Sequence, residues 1–82
     1  KLNNAAQLRA ARALLNWSQK DLVSASNVSL PTVQRMETLG PLRCSAGNVD
    51  KVVKALERAG IEFIAENGGG VGVRFRERSE GQ

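Results

Sequence analysis

Residues Ser18–Glu37, SQKDLVSASNVSLPTVQRME, carry two helix starts only eleven residues apart, at Ser18 and Ser29. Ser18 followed by Asp21 reads as a capping pair, the hydroxyl accepting a backbone N–H while the carboxylate reaches back to the cap. A helix from about Gln19 to Ala25 follows. Ser26 and Asn27 favour turn geometry, and Asn27 is the residue best able to take a positive φ. Ser29 is expected to cap the next helix, with Pro31 in its first turn, where the missing N–H had no intrahelical partner. That helix runs to about Thr38, and Gly40-Pro41 then breaks the pattern, leaving a loop from Leu39 to Cys44.

Two helices this short are marginal alone in water, so packing must hold them. Leu22, Ala25, Val28, Val33 and Met36 can share one interior if a tight turn at residues 26–28 sets the helices at a steep angle. Leu30, Pro31, Thr32, Gln34 and Arg35 then lie on the outward side of the second helix. One reading is a helix-turn-helix whose second helix protrudes into a major groove, and the other is a helical hairpin buried in a small bundle. The spacing alone leaves both open.

Working outward, residues 4–15 read as a helix, with Leu8, Ala11 and Leu15 at helical spacing and Asn16 as its left-handed stop. Ser45 is placed to cap a fourth helix, in which Val49, Val52, Val53 and Leu56 form an apolar stripe; Gly60 closes it. The period then changes to two. Ile61 and Phe63 flank Glu62, and Val71, Val73 and Phe75 alternate with Gly72 and Arg74, so a β-hairpin spans residues 61–76 around Asn67-Gly68-Gly69-Gly70. Residues 77–82 read as a flexible polar tail.

At 82 residues the chain has room for one domain. A single cysteine, Cys44, fits a reducing compartment, and no apolar run is long enough to span a membrane, so the expected location is the cytoplasm. Residues 1–54 hold eight basic and three acidic side chains, a balance of +5, whereas the remainder sums to −1. A basic segment of this kind suits a polyanion. With no histidine or tyrosine and no carboxylate cluster, the sequence offers no acid/base pair and no metal site, so neither an enzyme, a cofactor nor a small-molecule substrate is expected. The triple glycine lacks the Lys-Ser/Thr of a phosphate loop and opens a strand, which makes it a turn. Trp17 reads as a core aromatic, and Cys44 as chemically idle, redox sensing being the alternative.

Residues 8–58, about three fifths of the chain, resemble the Cro and phage-repressor type of helix-turn-helix protein, also called the xenobiotic-response-element family. The matching positions are Trp17-Ser18-Gln19, Leu22, Ala25-Ser26, Val28-Ser29, Val33 and Glu37. The resemblance implies a mainly α fold: a four-helix, lambda-repressor-like helix-turn-helix domain over residues 1–60, with the C-terminal β-hairpin in place of the family's fifth helix. It also implies a buried ion pair between Arg12 and Glu37. Val23 stands where the family usually has alanine, and Asn27 replaces the usual turn glycine. Because the fifth helix is missing, the family's dimer geometry does not carry over.

The function implied is transcription regulation by sequence-specific binding of double-stranded DNA. By resemblance, Gln19 and Ser29 meet phosphates at helix starts, with Lys20 assisting. Arg35 is the candidate for bidentate readout of guanine, its alternative being a solvated surface arginine. Thr32 and Gln34 can hydrogen-bond bases or phosphates, and Leu30 can touch a thymine methyl. Arg43, Ser45 and Asn48 are placed to grip a second stretch of backbone. A hairpin alone is marginal and leaves open edges, so a homodimer is expected in which hairpins pair or pack across a two-fold axis and set the recognition helices about 34 Å apart. The alternative is an interaction module of the antitoxin or anti-activator kind, with a protein partner held by hairpin and tail.

Overall fold

The computed structural model describes residues 1–77; the predicted tail falls mostly outside the described residues. Its elements are α1 (Ala5–Leu15), α2 (Gln19–Ser26), α3 (Leu30–Leu39), a 3₁₀ turn (Pro41–Arg43), α4 (Ala46–Arg58), β1 (Ile61–Ile64) and β2 (Gly72–Phe75). The chain is therefore mainly helical with one antiparallel hairpin. None of the helices among the described residues is long and apolar enough to cross a membrane.

Local chemistry sets each boundary. The Asn4 side chain accepts from the Gln7 N–H at 2.9 Å, and the Gln7 Oε1 accepts from the Asn4 N–H at 3.2 Å, closing a capping box that starts α1. Asn16, at φ 57°, ends it: the Asn16 N–H donates to the Ala13 carbonyl and the Trp17 N–H to the Arg12 carbonyl, the two-bond Schellman closure. Ser18 and Asp21 form the second box, at 3.0 and 2.8 Å. Asn27 takes the left-handed conformation at φ 60° and ends α2.

Several boundaries depart from the sequence reading. Ser26 belongs to α2, because its hydroxyl donates to the Leu22 carbonyl at 2.7 Å and accepts from the Val28 N–H at 3.2 Å. Ser29 occupies the N-cap position of α3, but its side chain caps nothing and donates instead to the Thr32 hydroxyl at 2.9 Å. The loop from Leu39 to Cys44 is shorter than expected, since Leu39 completes α3 and Pro41–Arg43 form a 3₁₀ turn. Gly40 makes that redirection, with φ 94° and burial beside Ala5. Ser18→Ala is expected to cost about 1 kcal/mol, whereas Ser29→Ala should cost clearly less; chemical denaturation of the two variants checks the difference.

The core gathers Leu8 and Ala11 of α1, Leu22 of α2, Val33 and Met36 of α3, Val52, Val53 and Leu56 of α4, and Ile61 of β1, with Val28 from the turn. Trp17, Val23, Val49, Phe63 and Val73 pack around it. α1 lies against α3 and β2, α2 against α3 and α4, and α4 against β1. Every helix thus buries one stripe, which is what holds α2 and α3 in spite of their length.

The hairpin pairs Ile61 with Phe75, Glu62 with Arg74, Phe63 with Val73 and Ile64 with Gly72. Alternation turns Ile61, Phe63 and Val73 toward the core of the chain, leaving Phe75 partly exposed at the margin. The other side carries the Arg74–Glu62 ion pair at 2.8 Å. Val71 lies before β2 rather than in it. Arg76, just past β2, donates to the Glu57 carbonyl at 3.1 Å. The buried Gln7 amide donates to the Gly72 carbonyl at 3.0 Å, so the box that starts α1 also fastens the hairpin.

Candidate nucleic-acid interface

The α2–α3 pair is braced from below by a polar cluster centred on Glu37. Arg12 Nε donates to Glu37 Oε2 at 2.6 Å and Arg12 Nη2 to Oε1 at 3.0 Å, a bidentate fork. Arg12 Nη1 donates to the Trp17 carbonyl at 2.8 Å. Gln19 Nε2 donates to the same Glu37 Oε1 at 3.0 Å, and Arg9 Nη1 to the Glu37 carbonyl at 2.6 Å. Three elements, α1, α2 and α3, are thus tied at one carboxylate.

The pair is less enclosed than a fully buried ion pair. The Glu37 side chain is 4% exposed and that of Arg12 is 23% exposed, so the guanidinium keeps an edge in water. The hydrogen bond that Arg12 donates to Glu37, reinforced by the carboxylate's charge, raises the Arg12 pKa above the ordinary arginine value in spite of partial burial. A folded-state pKa raised in this way stabilises the fold fully at every pH below the ordinary arginine value. The contribution is lost only on the strongly alkaline side.

Above this brace, α3 presents its outer side to solvent. Pro31, Gln34 and Arg35 are exposed, Thr32 and Leu30 are half-buried, and Val33, Met36 and Glu37 face inward. Helical spacing produces this division, since positions 33, 36 and 37 share one side. Beside α3 lies a polar notch of about 230 Å³, lined by Thr32, Arg35, Arg43, Ser45 and Asn48 together with Pro31 and Cys44. Ser45 caps α4, accepting from the Asn48 N–H at 3.2 Å, so the notch opens at a helix start where free N–H groups point outward. Among the described residues, neither Arg35 nor Arg43 has an acidic partner.

The sequence-derived residues therefore fall into two groups. Thr32, Arg35, Arg43, Ser45 and Asn48 converge on the notch, with Gln34 exposed on α3 nearby. Gln19, Lys20 and Ser29 lie at the starts of α2 and α3. Lys20 and Ser29 are exposed, whereas Gln19 is half-buried and has one amide N–H committed to Glu37, which fixes its orientation and leaves the second N–H available. Leu30 is less exposed than the sequence suggested.

Three features escaped the sequence reading. The Asn4-x-x-Gln7 box has a recognisable spacing, but its tie to Gly72 joins residues far apart in the chain. Arg58 Nη2 donates to the Ala25 carbonyl at 3.3 Å, supporting the end of α2 from α4. Leu39 and Leu42 are 59% and 93% exposed, and an apolar residue between Pro41 and Arg43 was the available sign of the second. No protein-family model matches this chain, and no curated protein sequence matches it either.

Proposed function

We propose that this chain is a sequence-specific DNA-binding transcriptional regulator of the Cro and phage-repressor type, acting as a homodimer. The observation that supports this reading most is the convergence of Arg35, Arg43, Thr32 and the start of α4 on one exposed polar notch beside the outer side of α3. A duplex presents bases flanked by phosphates, and this surface offers the matching order: hydrogen-bonding side chains on a helix, flanked by cations and free N–H groups.

In this reading α3 enters the major groove as one half of a helix-turn-helix made by α2 and α3. Arg35 reads guanine O6 and N7, Gln34 and Thr32 supply further hydrogen bonds, and Leu30 contacts a thymine methyl. Gln19, Lys20 and Ser29 hold one phosphate strand, and Arg43, Ser45 and Asn48 hold the other. Within the cluster the Arg12–Glu37 pair itself touches no DNA; it fixes the angle at which α3 is offered.

Selection of bound sequences from a random duplex pool tests the proposal, with an enriched short motif as the expected result. Failure to enrich any motif would favour the antitoxin-like interaction module. Arg43→Ala gives a second check: it should weaken binding to all sequences about equally and reduce the slope of log K against log salt by roughly one unit, as measured by a salt titration.

A further inference from the structure

The C-terminal end of α4 has no role in the reading above. An open hollow of about 410 Å³ lies there, lined by Lys54, Glu57 and Arg58 of α4 and by Arg76 just past β2. Two of its charges are met within the chain: Glu57 accepts from Lys1 at 2.7 Å, and Lys54 pairs with Asp50 at 3.2 Å. The two arginines differ. Among the described residues neither has an acidic partner, and each donates one N–H to a backbone carbonyl at a helix end, Arg58 to Ala25 at 3.3 Å and Arg76 to Glu57 at 3.1 Å. A guanidinium is a fork of several N–H donors, so most of them remain free, on exposed side chains already oriented by the bond they make.

The positive charge continues along the helix. Lys51, Lys54 and Arg58 stand at i, i+3 and i+7, so they share one side of α4 over about 10 Å. Lys51 is exposed and, among the described residues, also has no acidic partner. Asp50 and Glu57 share the adjoining side. The outer surface of α4 is thus divided lengthwise, and the strip that ends at Arg58 and Arg76 carries an excess of positive charge.

We infer that this strip binds an acidic peptide segment of another protein, with carboxylates of the segment taking the forks of Arg58 and Arg76. The planar fork matches the geometry of a carboxylate. A peptide suits the hollow better than a second stretch of nucleic acid, because the hollow also holds a carboxylate. Glu57 uses Oε2 for Lys1, and its Oε1 has no hydrogen-bond donor among the described residues. A peptide can meet that oxygen with a backbone N–H, whereas a phosphate backbone brings only further negative charge. The strip is also no extension of the polar notch. Asn48 and Arg58 lie about 15 Å apart along α4, so a phosphate group held at the notch does not reach Arg58.

The inference does not depend on DNA recognition. A short peptide of alternating glutamate and glycine is titrated into the full chain at low salt, up to about 1 mM, while backbone amide and arginine side-chain signals are followed by NMR. The matching glutamine–glycine peptide, inorganic phosphate and a random-sequence duplex form parallel arms. The expected result is saturable binding of the glutamate peptide, with shifts centred on Lys51, Arg58 and Arg76 that the other arms do not reproduce. Arg58→Gln combined with Arg76→Gln should weaken it roughly tenfold or more. Both arginines also hold helix ends, so Lys51→Glu supplies a variant at a side chain with no hydrogen bond or ion pair among the described residues. It should weaken the peptide roughly threefold or more and leave the unfolding midpoint unchanged. Four results would each overturn the inference: no saturable binding of the glutamate peptide, peptide shifts centred on Arg35 and Arg43, equal shifts of Arg58 and Arg76 by any other arm, or an affinity that neither variant changes.

Discussion

Arg12→Ala is expected to destabilise the fold by about 3–5 kcal/mol, the cost of stranding a buried charge when its partner is removed. The loss removes both ends of the fork to Glu37 and the bond to the Trp17 carbonyl. Glu37 then keeps a carboxylate only 4% exposed, with the Gln19 amide as its one remaining side-chain donor. The reverse substitution should be milder. In Glu37→Ala the stranded group is Arg12, which already has an edge in water and keeps the Trp17 carbonyl, so about 1–3 kcal/mol is expected. In a domain this small, each kcal/mol lowers the melting temperature by roughly 4–8 °C, so thermal unfolding separates the two variants clearly. Equal losses in the two variants would mean that the cluster acts through packing alone.

Arg35→Ala carries the second large effect and separates two roles that its position permits. Arg35 lies on the exposed side of α3, where its fork can reach a guanine, but it also lines the notch it shares with Arg43 and Ser45, where a phosphate can sit. If it reads a base, the alanine variant loses about 1–3 kcal/mol on the preferred site, roughly 5- to 150-fold in affinity, and tolerates other bases at one position. If it clamps a phosphate, all sequences weaken together and the salt slope falls by about one unit. The first outcome is the expected one. Arg35→Lys sharpens the distinction, because lysine keeps the charge but not the planar fork and should recover phosphate binding more fully than guanine preference. Binding isotherms on the selected motif and on single-base variants, at two salt concentrations, distinguish the outcomes. An unchanged motif after Arg35→Ala would falsify the base-reading role.

The two effects lie on different links of the same chain of causes. Glu37 and Arg35 are neighbours on α3, two residues apart, and point to opposite sides of it. One fixes where the helix lies and the other is what the helix would present. Destabilising the brace should therefore lower both the melting temperature and, through the folded fraction and the position of α3, DNA affinity, whereas changing Arg35 should leave the melting temperature nearly unchanged. Measuring both properties on both variants checks that separation.

Much of the molecule was determined by sequence through interactions a few residues long. The breaks at Asn16 and Asn27 follow from asparagine's tolerance of the left-handed conformation, and the Ser18–Asp21 box from its spacing. The division of α3 into a buried side at Val33 and Met36 and an open side at Gln34 and Arg35 follows from the helical period. Tertiary structure decided what depends on partners distant in the chain. One local choice also lay beyond the sequence: Ser29 has the residue type and position of a cap, yet its hydroxyl turned to Thr32, because a hydroxyl chooses among several nearby acceptors and donors by small differences in geometry. The tie from Gln7 to Gly72, the inward turn of the hairpin's apolar residues and the exposure of Leu42 are settled by where whole elements meet. Period-two alternation specifies that a strand has an apolar side; only packing against α4 determines that this side faces its own core rather than a second molecule.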